Sequence, residues 1–464
     1  MNFTTLKANQ YIKENKDKVN PKHRHLFHLM PEVGWMNDPN GFIFYQGYYH
    51  LFYQFYPYET KWGPMHWGHA RTKDFVHFEH LPVALAPDLD HEDGCFSGGS
   101  AVLDDKLILM YTSHYHQAYQ LQEQSIATST DGITFDKYLN KPVITIKDLP
   151  VDASKVDFRD PNPVIIDGKT FVLIGSSTLD KKGQILVYTT NDFKTFTYLN
   201  AIKHPLFGEI AECPDLFEQD GKHVLLFSAT NLKQTNGRFK NVNSSLYAIG
   251  SFNSETGEFL FEHVDEIDAG HHYYAPQTAL GPNNQRIAIA WMQMWGKDYY
   301  TAMNHHGWVG ALTLPRQLHV VENKLYQSIS HLEHLKTVRA FEVSSLVQTT
   351  SKHFHLNGTI KVDKPVSIQI GDHDNFILLS LNQNEISLDT SSTKLFPLEK
   401  RFVTHNLEDI TFDLVMDNSS LELFIKGLDK TITTRVYFDE ESLNIRLVEG
   451  DTKLNNIVLK ELSL

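Results

Sequence analysis

Phe42-Ile43-Phe44-Tyr45-Gln46-Gly47-Tyr48-Tyr49-His50-Leu51-Phe52 reads as an apolar run, a two-residue turn and a second apolar run. Gly47 tolerates the left-handed backbone of a tight hairpin turn, and the aromatic flanks suit a pleated, half-buried surface. The arrangement returns four times. Asp104-Asp105 leads into 107–111, Asp167-Gly168 into 171–174, Asp220-Gly221 into 224–227, and Asn283-Asn284 into 287–291. The turns begin at 46, 104, 167, 220 and 283, so successive steps are 58, 63, 53 and 63 residues.

A second pattern rides on the first. Thr72 to Phe78, Ser129 to Phe135 and Thr190 to Phe196 share a hydroxyl-x-Asp-x-x-x-Phe frame, and 254–259 is a looser version. Each reads as the turn into an outer strand. Units of about four strands recurring at this spacing predict an all-β chain whose residues 31–324 form a five-bladed β-propeller, in preference to a stack of unrelated hairpins. Residues 1–30 read as an N-terminal extension, a short polar helix and an entry segment with His23, His25 and His28. The polar, Leu-containing stretch 325–340 reads as a linker, in part helical. From 341 to 464, short alternating runs separated by turn residues predict a β-sandwich.

Composition narrows the class. With 41% hydrophobic and 21% charged residues the chain is an ordinary soluble globular protein, and its formal net charge of −14 argues against a nucleic-acid or anionic-membrane partner. No apolar stretch reaches membrane-spanning length. The first twenty residues carry Lys7, Lys13, Glu14, Lys16, Asp17 and Lys18 and no apolar signal core, so a cytoplasmic location is expected. Cys95 and Cys213 are too few for a disulfide framework. A monomer or homodimer is expected.

Just ahead of the first hairpin stands Trp35-Met36-Asn37-Asp38-Pro39-Asn40-Gly41, which taken alone is a tight loop before the strand 42–45. Its place in the repeat gives it chemical meaning. In a propeller the first strand of each blade lines the axis. Asp38, Ser97, Asp160, Glu212 and Tyr274 stand 8, 7, 7, 8 and 9 residues before their inner turns. A shared phase gathers them at one mouth, and three are carboxylic acids. Facing carboxylates among aromatics perform glycoside chemistry, and mutual crowding raises the pKa of one so that it holds a proton near neutrality. Asn37, Gln54, Trp62, Phe96, Ser97, Arg159 and Trp291 supply hydrogen bonds and stacking faces suited to a sugar. The 25 histidines, including His114-x-His116, His271-His272 and His305-His306, form no metal-binding motif, so neither metal nor cofactor is expected. Cys213 reads as a packing thiol.

The motifs Trp-Met-Asn-Asp-Pro-Asn-Gly at 35–41, Phe-Ser-Gly at 96–98, Arg-Asp-Pro at 159–161 and Glu-Cys-Pro at 212–214 resemble, in order, those of the invertase and β-fructosidase family, glycoside hydrolase family 32. Tyr-Ala-Pro-Gln at 274–277 and Leu-Thr-Leu-Pro-Arg at 312–316 extend the likeness over nearly the whole chain. The resemblance implies a retaining β-fructofuranosidase acting on sucrose or sucrose 6-phosphate. By motif, Asp38 is the nucleophile, Glu212 the acid/base and Asp160 the stabiliser of fructose hydroxyls, while Trp35 and Tyr274 join the sugar-binding set. Two departures stand out: Gly99 precedes Ser100 where the family has Phe-Ser-Gly-Ser, and His271-His272 precede Tyr273-Tyr274 where an acid is common. Lys61, Arg238, Lys297, His271 and His272 are available to a phosphate. Rival readings are a fructan- or fructo-oligosaccharide-cleaving β-fructosidase, a fructosyltransferase, an inverting pentosidase, and an inactive carbohydrate-binding protein. The last is expected to lose a carboxylate, and all three are present.

Overall fold

Alternating apolar and polar residues give strands, and strands joined by short turns stay next to their sequence neighbours. A computed structural model describes all residues except 1–2, 91, 116–120, 236, 344–345, 362–364 and 450–455. His116 therefore lies outside the described residues. The chain is all-β apart from the helix Thr5–Asn15, the short helix Tyr300–Met303 and a few 3₁₀ turns. Among the described residues no helix is long and apolar enough to cross a membrane.

Five small sheets follow one another along the chain, opening with the strands Gly34–Tyr45, Gly94–Leu103, Ala153–Ile166, Ala211–Gln219 and Tyr274–Leu280. In each, the strands pair antiparallel in chain order, the predicted hairpins being the first two strands, and the short strand Trp308–Val309 from late in the chain adds to the first sheet, parallel to Gly34 and Trp35. Apolar side chains fill the space between consecutive sheets. Tyr45, Trp67, Leu107 and Leu109 lie between the first and second, and Ile108, Met110, Val172 and Ile174 between the second and third. Leu173, Ile185, Leu225 and Leu246 join the third to the fourth, and Val224, Tyr247, Ala288 and Leu318 the fourth to the fifth. Ile287 and Ile289 of the fifth sheet pack with Leu51 and Tyr53 of the first. The hydroxyl-x-Asp frames make the expected local turns: Asp74, Asp131 and Asp192 each accept backbone N–H bonds two and three residues ahead.

Two sequence expectations need correction. The stretch 35–41 is not a loop before the strand, because the first strand already begins at Gly34. The polar segment 325–340 is mostly strand, with a single 3₁₀ turn at Leu332–His334 between the two strands. Lys324–Ile329 is the outer strand of the fifth sheet, and Lys336–Glu342 pairs with Asn456–Ser463 in the C-terminal part. Strand pairing on both sides satisfies backbone groups that propensity alone assigns to a free segment. The N-terminal helix matches the reading of residues 1–30. It is capped by Thr4, whose hydroxyl accepts from Lys7 N at 3.2 Å, and it docks on the first sheet through buried Ala8.

C-terminal to the five sheets, two six-stranded sheets face each other over an apolar layer. The layer shows strict alternation, as in Ile368/Ile370, Ile377/Leu379/Leu381 and Phe412/Leu414/Met416. Contact with the five-sheet part is ionic as well as apolar. Arg316 is fully buried and donates to Glu422 at 2.6 Å, Asp268 at 3.3 Å and the hydroxyls of Thr431 and Thr433. His28, from the entry segment, sits between Asp417 at 2.6 Å and Glu422 at 3.0 Å. Burial works against a charged His28, yet its bonds and attraction to the two carboxylates prevail and lift its pKa to about 9. Because the folded value lies above the ordinary one near 6.5, the stabilisation is full below pH 6.5 and disappears as pH rises through 9. A shift of this size corresponds to something on the order of 3 kcal/mol. The melting temperature should therefore fall between about pH 7 and pH 9.5, and His28→Gln should be less stable at pH 7 with that fall flattened. Parallel pH dependence in the two proteins would remove His28 from this role.

Candidate active site

Each of the five opening strands carries a one-residue bulge at the same level. Opposite Met36/Pro39, Phe96/Gly98, Arg159/Asn162, Glu212/Asp215 and Tyr274/Gln277 the partner strand is one residue short. Asp160, Cys213 and Ala275 occupy their bulges with φ of 63°, 49° and 51°. Proline follows at 161, 214 and 276, and at 39 in the first strand, where no N–H is available to continue the ladder. A bulge re-aims side chains that regular pleating would bury between sheets. The first three bulges place Asp38, Ser97 and Asp160 on one cavity of about 420 Å³.

The bulges also refine the phase read from the sequence. Aligned on the bulge, Asp160 corresponds to Cys213, and Arg159 corresponds to Glu212 and Tyr274. Corresponding residues on adjacent strands bond to each other. Arg159 donates to Glu212 Oε1 from Nε at 3.0 Å and Nη2 at 2.6 Å, and the Tyr274 hydroxyl donates to Glu212 Oε2. Cys213 donates its N–H to Asp160 Oδ2 at 3.0 Å, with its thiol 3.5 Å from the same oxygen. That sulfur also lies 3.8 Å from Asp38 Oδ2, so both aspartates touch one atom. Ser97 Oγ donates to Asp38 Oδ2 at 3.0 Å, and Asp38 Oδ1 accepts nothing from the described residues.

Electrostatics follow from this crowding. Burial, then the charges of Asp160 and Glu212, push Asp38 up to about 7. Burial and the charge of Glu212 raise Asp160 to about 6, partly offset by Arg159. The Cys213 thiol is pushed well above its ordinary range by burial and then by the surrounding carboxylates, so it stays a neutral packing group. Arg159 is anchored from behind by Asp157 at 3.3 Å and Gln122 at 3.2 Å, and Ser177 in turn holds Asp157 at 2.8 Å.

Of the twelve residues the sequence points to, nine line the cavity: Asn37, Asp38, Gln54, Trp62, Phe96, Ser97, Arg159, Asp160 and Glu212. Trp62 is 45% exposed and meets Phe96 edge-on at 5.7 Å. Trp35, Tyr274 and Trp291, also expected to bind sugar, are not among the cavity's lining residues and stand directly behind them. Trp35 stacks on Trp295 and donates its indole N–H to Asn37 at 2.7 Å, Tyr274 braces Glu212, and Trp291 packs beneath Trp295. Gln122, Asn243 and Trp295 line the cavity and were missed. Gln122 and Asn243 open the third strands of the second and fourth sheets, the region Leu121–Ser129 and Asn243–Phe252. In an antiparallel four-strand unit the third strand starts at the same end as the first, so that end of the unit held the signal.

Both sequence departures have physical causes. A side chain at Gly99 would place its Cβ 2.2 Å from Asn162 Oδ1. His272 Nδ1 accepts from Arg435 N at 2.9 Å, and the backbone N–H of His271 donates to Thr433, so the pair is tied to the C-terminal part. Among the described residues, the one group with metal-ligand spacing is His263, Asp265 and Asp429, away from the cavity. Arg238 and Lys430 already pair with Asp265.

Comparison with known proteins agrees with this geometry. The family model "Glycosyl hydrolases family 32 N-terminal domain" matches residues 28–328, and "Glycosyl hydrolases family 32 C terminal" matches 323–461. A sucrose-6-phosphate hydrolase of Zymomonas mobilis is 32% identical over 91% of this chain and 89% of its own length. A raffinose invertase of Escherichia coli is 31% identical over 93% of each chain. Among solved structures, a mutant of the Bombyx mori GH32 beta-fructofuranosidase in complex with sucrose superposes with a TM-score of 0.87 at 30% identity, covering 99% of this chain and 98% of that one.

Proposed function

The chain belongs to glycosyl hydrolase family 32, and from that premise we propose that it is a β-fructofuranosidase cleaving the terminal fructosyl bond of sucrose 6-phosphate and sucrose with retention of configuration. The observation that carries this reading is the cavity itself: two aspartates crowded onto one sulfur, and a glutamate clamped by Arg159 and Tyr274. Asp38 attacks the fructose anomeric carbon as the bond to the leaving oxygen breaks, and Glu212 delivers a proton to that oxygen. Water, deprotonated by Glu212, then attacks the same carbon and releases Asp38. Asp160, held by Cys213, accepts hydrogen bonds from fructose hydroxyls. Asn37 and Gln54 add further polar contacts, and Trp62, Phe96 and Trp295 form the aromatic wall.

The same reading extends to architecture. Five sheets packed in chain order, with the fifth against the first, support a five-bladed propeller over 31–324, and the two facing sheets support a sandwich over 341–464. Residues 1–30 form the extension, and 325–340 is the hand-over, built of strands. A cytoplasmic site of action fits two buried, free cysteines. Sugar is the partner, and the chain works as a monomer or homodimer.

Stereochemistry tests the mechanism. Two displacements at one carbon release fructose first as the β-anomer, from either substrate. NMR within the first turnovers, ahead of mutarotation, reads the outcome. Initial α-fructose means direct attack by water and removes Asp38 as nucleophile.

A further inference from the structure

In a chain of net charge −14, one patch beside the cavity gathers three cations, Lys240, Lys297 and Arg401, around a single exposed carboxylate, Glu399. Two lining residues lead into it. Two and three positions before Asn243 stand Asn241 and Lys240, and two positions after Trp295 stands Lys297. Val242 and Gly296 bring these segments together, since a Cβ at 296 would lie 3.6 Å from Val242 Cγ1.

The C-terminal part contributes the third cation. Arg401 is 1% exposed and donates from Nη2 to Asn241 Oδ1 at 2.7 Å, while Asn241 Nδ2 donates to the Gly270 carbonyl at 2.9 Å. Arg401 Nε has no acceptor among the described residues. Lys240 Nζ lies 4.1 Å over the Phe402 ring. Among the described residues neither Lys240 nor Lys297 makes an ion pair within 4 Å. Arg401 pairs at 3.4 Å with Glu399, whose carboxylate is largely exposed, and Glu385 is taken by Lys400 at 2.9 Å, so one solvated acid faces three cations. The cations repel one another: burial first, then the charge of Arg401, lowers the pKa of both Lys240 and Lys297. A cluster held together against this repulsion is complementary to an anion.

Building on the fructosidase reading, we infer that Lys240, Lys297 and Arg401 form the subsite for the phosphate of the leaving sugar, with Arg401 acting from the C-terminal part through Asn241. The lysines meet a phosphate as point charges, and the guanidinium orients Asn241 and adds its field. The other basic residues the sequence offered are engaged elsewhere: Arg238 pairs with Asp265, and Lys61 with Glu59 on the exposed surface. The sandwich, which shows no chemical constellation of its own, thereby takes a part in specificity.

The test pairs binding with turnover. Calorimetry on the full chain compares glucose 6-phosphate, glucose and inorganic phosphate, and initial rates compare sucrose 6-phosphate with sucrose. Glucose 6-phosphate should bind at least about ten-fold more tightly than glucose and than inorganic phosphate, with the gap over glucose narrowing between about 0.05 and 0.5 M salt. Lys297→Gln and Lys240→Gln should each lower kcat/KM for sucrose 6-phosphate by about ten-fold, through KM, while sucrose changes by less than about three-fold. Lys297→Arg should restore most of the loss. Arg401→Gln should follow the lysine variants, but the surface lysines decide the matter, since Arg401 is buried. Lysine variants that slow both sugars alike, or a wild type that binds glucose 6-phosphate no better than glucose, overturn the subsite. A protein that cleaves neither sugar unseats the fructosidase reading instead, and calorimetry still judges the subsite separately.

Discussion

Asp38→Asn is expected to lower kcat by at least ~10³-fold, roughly 4 kcal/mol in the barrier, while leaving the protein folded. The amide keeps the size of the carboxylate and can still accept from Ser97, whose Oγ lies 3.0 Å from Oδ2. It loses the charge that must bond to the anomeric carbon and stabilise the oxocarbenium ion. The same substitution should stabilise the protein at alkaline pH. Asp38 has a folded pKa of about 7, above its ordinary value near 4, so the native state holds that proton more tightly than the unfolded chain does. Ionising it among Asp160 and Glu212 costs stability as pH rises from about 4 through 7, and the full cost stands above 7. Asn has no such cost. Activity assays and thermal melts at about pH 8 read both effects. Near-normal turnover in a folded variant would reject Asp38 as nucleophile, and a lower melting temperature than wild type would reject the crowding argument.

This site was partly legible because repetition carries position. The hairpin turns from Gln46-Gly47 to Asn283-Asn284 set the spacing of the five small sheets, and counting back from them reached Asp38, Ser97, Asp160, Glu212 and Tyr274. Counting could not show the bulges. A single extra residue shifts every side chain after it, which is how Glu212 falls into step with Arg159 and Tyr274 and not with Asp160. Pro161, Pro214 and Pro276 were the visible trace of those bulges, one after each left-handed residue. Gln122, Asn243 and Trp295 escaped because they sit outside the opening strands, and contacts such as Arg401 with Asn241 join residues 160 positions apart that no local pattern connects. The strands within 325–340 were hidden because its polar residues sit on the edge strands of two sheets, one paired with the adjacent strand Arg316–Val321 and the other with Asn456–Ser463 far along the chain.

Glu212→Gln should separate the two halves of the reaction by the quality of the leaving group. In the first half, Glu212 must place a proton on a poor leaving sugar oxygen, and positioned acid/base groups contribute about 10²- to 10⁴-fold. The variant should therefore lose about 10³-fold on sucrose and its phosphate. An aryl fructoside departs as a stable phenolate and hardly needs that proton, so its first step should slow by less than about ten-fold. The second step still lacks its base, which makes the variant release one equivalent of phenol in a burst and then stall as the fructosyl ester on Asp38. An external nucleophile that needs no deprotonation, such as azide, should restart it. The substitution is structurally mild. Gln Oε1 keeps accepting from Arg159, and its amide donates toward the Tyr274 hydroxyl, so both clamps on the side chain survive. Equal losses on sucrose and the aryl fructoside, with no burst, would show that Glu212 holds substrate and moves no proton, and the acid/base role would pass to another group facing the leaving oxygen.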